Sequence, residues 1–259
     1  MPAQLKSHTI DQTLILTISD PENRNALGPA IYAAGTEALN AADSNSQISS
    51  VIITGEGAHF CAGGNLNRLK ANRELPKEHQ AQSIDGLNNW METIRSFPKP
   101  VIAAVEGAAA GAGFSLCLMC DLIVASQSSV FATSYNNVAL SPDGGVSWHL
   151  SRLLPRQLAT RWLLLGERIS AEELHARGLI YELTQPGQAF EKALELCQVL
   201  NQRAKNSSAS IKELINASAN QDLIAHMHME RDHFVENLHH DNAGIGIDAF
   251  LNKQTPRYK

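Results

Sequence analysis

One acid stands in the segment LSPDGG, Leu140 to Gly145, where every other side chain is apolar, hydroxyl or absent. Proline presets φ, aspartate bonds its own backbone and glycine admits positive φ, so these residues alone make Asp143 a solvated turn aspartate. Two further segments could do chemistry without any reactive side chain. In GAHFCAGGNL (Gly57 to Leu66) and GAAAGAGFSL (Gly107 to Leu116), small residues leave main-chain amides open to a ligand. They are either ordinary tight turns or, together, two donors aimed at one oxygen on which negative charge develops. The second donor would then sit at the start of a helix beginning near Gly111. A nucleotide loop is a poor fit, because Leu116 stands where G-x-G-x-x-G needs glycine and neither turn has the lysine of a phosphate loop.

Sulfur and imidazole offer less. Cys61, Cys117, Cys120 and Cys197 are too few and too scattered for a disulfide framework. Cys117 and Cys120 form a C-x-x-C inside the apolar run FSLCLMCDLIVA, with no second pair or nearby histidine, and read as buried reduced thiols. His226, His228, His233, His239 and His240 fall in a polar helical stretch and read as a solvated face. No metal is assigned.

These residues must be positioned by alternating elements. QTLILTIS (Gln12 to Ser19) and SVIIT (Ser50 to Thr54) are β-branched runs, and GPAIYAAGTEALNAAD between them has helical apolar spacing with Pro29 at its first turn. A helix from about Glu78 to Ser96 ends against FPKP. VIAAVE (Val101 to Glu106) follows as a buried strand, then a small-residue turn, a helix and the strand LIVAS. From Gly144 onward the pattern is mainly helical, with Ser170 and Glu173 spaced as a capping box. Lys70 to Gln82 is polar and reads as a mobile segment whose conformation no motif specifies. The expected fold is α/β with a helical C-terminal part, divided into a core at 1–200 and helices at 201–259.

The 259 residues are 44% hydrophobic and 18% charged, enough for a large core. A formal charge of −5 argues against a nucleic-acid or anionic-membrane surface. The first residues, MPAQLKSHTIDQ, lack the apolar core of a signal peptide, and no run approaches a membrane span. These features point to a soluble, cytoplasmic protein.

The segments DPENRNAL, FCAGGNL, KPVIAAVEGAAAGAGFSLCLMCDLIVA, PDGG, ISAEELHARGLI and GIDAFLNK, in this order, resemble the crotonase superfamily of enoyl-CoA hydratases and isomerases. The resemblance spans nearly the whole chain. It implies a crotonase-like spiral of β-β-α units, a helical C-terminal trimerisation part, an acyl-CoA thioester substrate, and a homotrimer or dimer of trimers. Coenzyme A belongs to the substrate, and no separate cofactor is implied. The oxyanion-hole amides match Gly64, after Ala62 and Gly63, and Ala112. Arg24 and Ala26 match the segment bordering the CoA adenine and phosphates, and the Ala62 carbonyl an adenine contact. Phe250 and Lys253 match an element that contacts CoA bound to a neighbouring subunit.

Hydratases of this superfamily carry two glutamates at places held here by Ser115 and Tyr135. Losing two acid/base groups, each worth on the order of 10²- to 10⁴-fold, should cripple hydration. Ser115 is expected to pack under the turn and Tyr135 to line the acyl pocket. Asp143 stands where related isomerases, including those of phenylacetate catabolism, carry an acid/base aspartate, so the resemblance makes it the catalytic group. The implied activity is double-bond isomerisation of an acyl-CoA in fatty-acid or aromatic-acid catabolism. Three alternatives remain open: a hydratase with atypical residues, a non-catalytic acyl-CoA-binding trimer, and a dehalogenase with Asp143 as nucleophile. The last lacks its histidine, because the matching place is near Trp90.

Overall fold

Apolar alternation along short strands builds the scaffold of the computed structural model, which describes residues 3–258. The chain opens with β1 (Gln4–Ile10), β2 (Thr13–Ser19), α1 (Pro29–Asp43) and β3 (Ser50–Gly55), followed by α2 (Leu66–Asn72) and α3 (Lys77–Ser96). Next come β4 (Val101–Val105), β5 (Ala108–Ala110), α4 (Ala112–Met119), β6 (Leu122–Ser126) and β7 (Val130–Ala132). The run α5 (Val146–Leu153), α6 (Arg156–Leu165), β8 (Arg168–Ser170), α7 (Ala171–Ala176) and β9 (Glu182–Thr184) leads into four helices. These are α8 (Ala189–Leu200), α9 (Lys205–Ser218), α10 (Leu223–Leu238) and α11 (Asp241–Leu251).

Six strands form one sheet in the order β1-β2-β3-β4-β6-β9, parallel except for the β1–β2 hairpin. A second sheet, β5-β7-β8, stands at its side. Successive strand side chains alternate faces. Leu16, Ile18, Val51, Ile53, Ala103 and Val105 therefore enter the main core, with α1, α3 and α4. Ile15, Ile52, Ile102, Ala104 and Val124 on the other face pack against Ala193 and Cys197 of α8. Both faces of the parallel strands are covered, which is why they read as continuous apolar runs.

Two sequence expectations are modified. The Lys70 to Gln82 segment is ordered as the end of α2, a turn at Pro76 and the start of α3, pinned by Asn72 Nδ2 donating to Gln80 Oε1 at 2.7 Å. Only half of the capping box forms. Ser170 Oγ accepts the Glu173 amide at 3.1 Å, while the Glu173 carboxylate pairs with Arg177 one turn on. All four cysteines are buried free thiols, and burial pushes Cys61 up to about 12 and Cys197 to about 11.

Of the last three helices, α9 docks on the core through polar ties. Lys212 Nζ pairs with Asp121 Oδ2 at 2.7 Å, and Arg95 Nη2 donates to Asn216 O at 2.9 Å. Between them and the core lies a cavity of about 1150 Å³. Among the described residues no helix is long and apolar enough to cross a membrane.

Candidate active site

A second cavity, of about 930 Å³, is where the three turns meet. The first turn is laid beside β5: Cys61 N donates to Ala108 O at 3.0 Å, and Ala110 N donates back to Cys61 O at 2.9 Å. Its amides are then used in order. Ala62 N donates to Arg24 O at 2.9 Å, and Gly63 N donates to Cys61 Sγ at 3.3 Å. Gly64 N has no backbone acceptor among the described residues. Asn65 next caps α2, its side chain accepting the Arg68 amide at 3.0 Å.

The second turn lies against the first. A Cβ on Gly63 would stand 2.7 Å from Ala110 O and 3.3 Å from Ala112 N. Gly111 takes φ 52°, ψ −126°, a conformation L side chains rarely adopt, and so delivers Ala112 as the first residue of α4. The first amides of a helix have no intrahelical acceptor and carry the positive end of its dipole. The structure thus brings Gly64 and Ala112 together on one cavity wall.

Asp143 lines the same cavity from the third turn. Gly144 (φ 58°) and Gly145 (φ 86°) turn the chain into α5, and a Cβ on Gly144 would come within 2.9 Å of Ser115 Cβ. That approach lets Ser115 Oγ donate to Asp143 O at 2.8 Å, while Tyr135 Oη donates to Asp143 Oδ1 at 2.8 Å. Each hydroxyl has one proton, and these shortest contacts use both, so the 3.1 Å approach of Ser115 Oγ to Tyr135 Oη is secondary. Burial raises the Asp143 carboxyl above the usual range, with the Tyr135 hydrogen bond pulling the other way. Burial also raises Tyr135, which stays a protonated donor. Asp143 therefore sits in a glycine turn as expected, but half-buried rather than solvated, with its carboxyl on the cavity.

Ser115 and Tyr135 therefore do more than expected. Ser115 does pack under the turn and Tyr135 does line the cavity, and both hydroxyls also hold Asp143. Ala26 is buried, whereas Arg24 is exposed and lies beside Ala62 through their hydrogen bond. Phe250, 84% exposed, and Lys253 lie at the end of α11 and do not line this cavity. Trp90 is fully buried in α3, and no histidine lines the cavity among the described residues. His149 instead approaches Met119 Sδ at 3.4 Å and borders the larger cavity. A water-activating histidine for a dehalogenase is thus missing from the place that needs it.

Two cavity residues escape a sequence reading. Tyr32 on α1 occupies an apolar position in a helical pattern, and Arg68 on α2 looks like a surface charge. The spacing held one signal, since Arg68 falls in the first turn of a helix that starts directly after the donor turn and is capped by Asn65.

The description enoyl-CoA hydratase/isomerase belongs to the family model that matches residues 10–259. A 1,2-epoxyphenylacetyl-CoA isomerase of Escherichia coli strain K12 is 31% identical over 255 residues, 97% of each chain. The 2,3-dehydroadipyl-CoA hydratase of the same strain is 31% identical over 248 residues, 96% of this chain and 95% of its own. The crystal structure of an enoyl-CoA hydratase from Polaromonas sp. JS666 is 61% identical and superposes with TM-score 0.98, covering 99% of this chain and 100% of that one.

Proposed function

The chain belongs to the enoyl-CoA hydratase/isomerase family and has its crotonase fold, and from that footing we propose that it isomerises the double bond of an acyl-CoA thioester. The thioester oxygen is held by the amides of Gly64 and Ala112. Asp143 Oδ2 takes a proton from Cα of a 3-enoyl thioester, the electron pair moves into a dienolate on the held oxygen, and the same carboxyl returns the proton to Cγ. The product is the conjugated 2-enoyl ester. This shift is redox-neutral and, on chemical grounds, uses no metal and no cofactor beyond the coenzyme A of the substrate. A base with a raised pKa suits both halves of the transfer.

One observation carries the reading: the hydroxyls of Ser115 and Tyr135 are both bonded to Asp143, the one half-buried carboxylate on this cavity among the described residues. The other acid on the cavity, Asp85, is exposed on α3. Syn addition of water needs one group to activate water and another to deliver a proton, whereas isomerisation needs one group acting twice. A hydratase using Asp143 alone is the second reading, favoured by the 61% identity to a structure that bears that name. Arg24, Ala26, Ala62 and Gly63 are assigned to the CoA moiety, and Phe250 and Lys253 to CoA on a neighbouring subunit of a trimer or a dimer of trimers.

Asp143→Asn keeps the size of the side chain and its place in the turn. It should bind acyl-CoA with near-parental affinity and lose isomerisation of 3-enoyl-CoA by roughly 10²-fold or more. Exchange of substrate protons with deuterated solvent should fall in parallel. An Asn variant working at the parental rate overturns the role of Asp143. A parent that hydrates 2-enoyl-CoA briskly and never shifts a double bond overturns the isomerase.

A further inference from the structure

The same cavity holds a cation that makes no ion pair among the described residues. Arg68 is half-buried on α2, and its Nη1 donates to Ser83 Oγ at 3.0 Å. Its Nε is buried without a partner, and no carboxylate lies within ion-pair distance of it among the described residues. Beside it stands Tyr32 of α1, 4% exposed. Burial pushes the Tyr32 phenol up to about 12, while the Arg68 guanidinium acts against that shift through its charge and as a hydrogen-bond donor. Tyr32 is therefore a protonated donor at neutral pH. Both residues line the cavity together with Gly64, Ala112 and Asp143.

A guanidinium cannot escape desolvation by losing its proton. Partly desolvated and left without an anion it is unfavourable, and an aliphatic acyl tail would do nothing for it. A carboxylate would, because it accepts from the planar fork and from the phenol at once. We propose that Arg68 and Tyr32 form a subsite for a carboxylate carried by the acyl group, so that the substrates are ω-carboxyacyl-CoA esters. The inference rests on the acyl-CoA reading of the cavity and is independent of which reaction follows.

Saturated esters separate binding from turnover. Calorimetric titration of the parent protein with glutaryl-, adipyl- and suberyl-CoA, each against pentanoyl-, hexanoyl- and octanoyl-CoA of equal length, reads the subsite directly. For at least one pair the ω-carboxylate ester should bind about tenfold or more tightly. Arg68→Met should bring that ratio to about one or below, and Tyr32→Phe should reduce it in part. A parent with no preference at any length overturns the subsite, whether or not the variants fold, and assigns Arg68 to packing or to the CoA phosphates. A folded Arg68→Met protein that keeps the preference overturns it as well. A parent that prefers ω-carboxylate esters but moves no double bond removes only the isomerase, and one that isomerises 3-hexenoyl-CoA without the preference removes only the subsite.

Discussion

At the scale of single residues, Asp143 is poised by two opposing influences. Burial disfavours its charge, and the Tyr135 hydroxyl favours it. A base must be ionised to act, so kcat/KM on 3-enoyl-CoA should rise with pH through the Asp143 pKa. Tyr135→Phe deletes the donor that stabilises the ionised form, and the pKa therefore moves further up. The acid limb should shift to higher pH by about one unit, since a hydrogen bond to a charged group is worth about 1.5 kcal/mol or more. Ser115→Ala should move it less, because that hydroxyl bonds the main-chain carbonyl. A Tyr135→Phe pH–rate profile superimposable on the parent's would detach the phenol from the base.

At the scale of elements, the donor at Ala112 depends on a turn that only glycine makes easily. Gly111→Ala should cost about 1–3 kcal/mol of stability from its positive φ. It should also lower kcat on the order of 10²-fold as the first amide of α4 swings off the oxygen. Thermal melting and kcat measured together check this, and a destabilised variant with full turnover would remove Ala112 from the chemistry. These turns were legible in sequence because their function is carried by small residues at fixed places in a strand–turn–helix pattern. The strands at Ser50 and Val101 were legible through β-branched runs, and the helix ending at Ser96 through the prolines after it. The α2–α3 corner was not. Its order comes from Asn65 capping and the Asn72–Gln80 and Arg68–Ser83 bonds, which join residues of no hydrophobic period. Nor could a single chain reveal that the Ser115 and Tyr135 hydroxyls meet at Asp143, since residues 28 and 8 positions away in sequence converge only in space.

At the scale of the whole molecule, α9 is held to the core by an ion pair that is largely closed to water, with Lys212 11% and Asp121 28% exposed. Burial raises Asp121 and Lys212 opposes the shift. Lys212→Met leaves that carboxylate with the Val101 amide, at 2.7 Å, but no counter-charge, and should cost on the order of 3 kcal/mol at neutral pH. A group raised in the folded state is penalised once ionised. The gap between variant and parent melting temperatures should therefore narrow as pH falls through the Asp121 pKa. Leu223, Phe234, Phe250 and Leu251 on α10 and α11 are exposed, as apolar side chains awaiting a partner subunit would be. Sedimentation velocity should give a trimer or hexamer, and Phe250→Asp should shift it to smaller species; a monomeric parent would remove the assembly.

The position of α8 has a consequence during synthesis. The sheet face bearing Ile15, Ile52, Ile102 and Val124 is complete once β6 has emerged, yet its cover, Ala193 and Cys197, follows some 70 residues later. At 5–20 residues per second the ribosome needs roughly 4–14 s to deliver it. Throughout that interval the nascent chain presents a formed strip of isoleucine and valine to its surroundings. Release of the chain before α8 should therefore lead to aggregation rather than to a smaller folded protein.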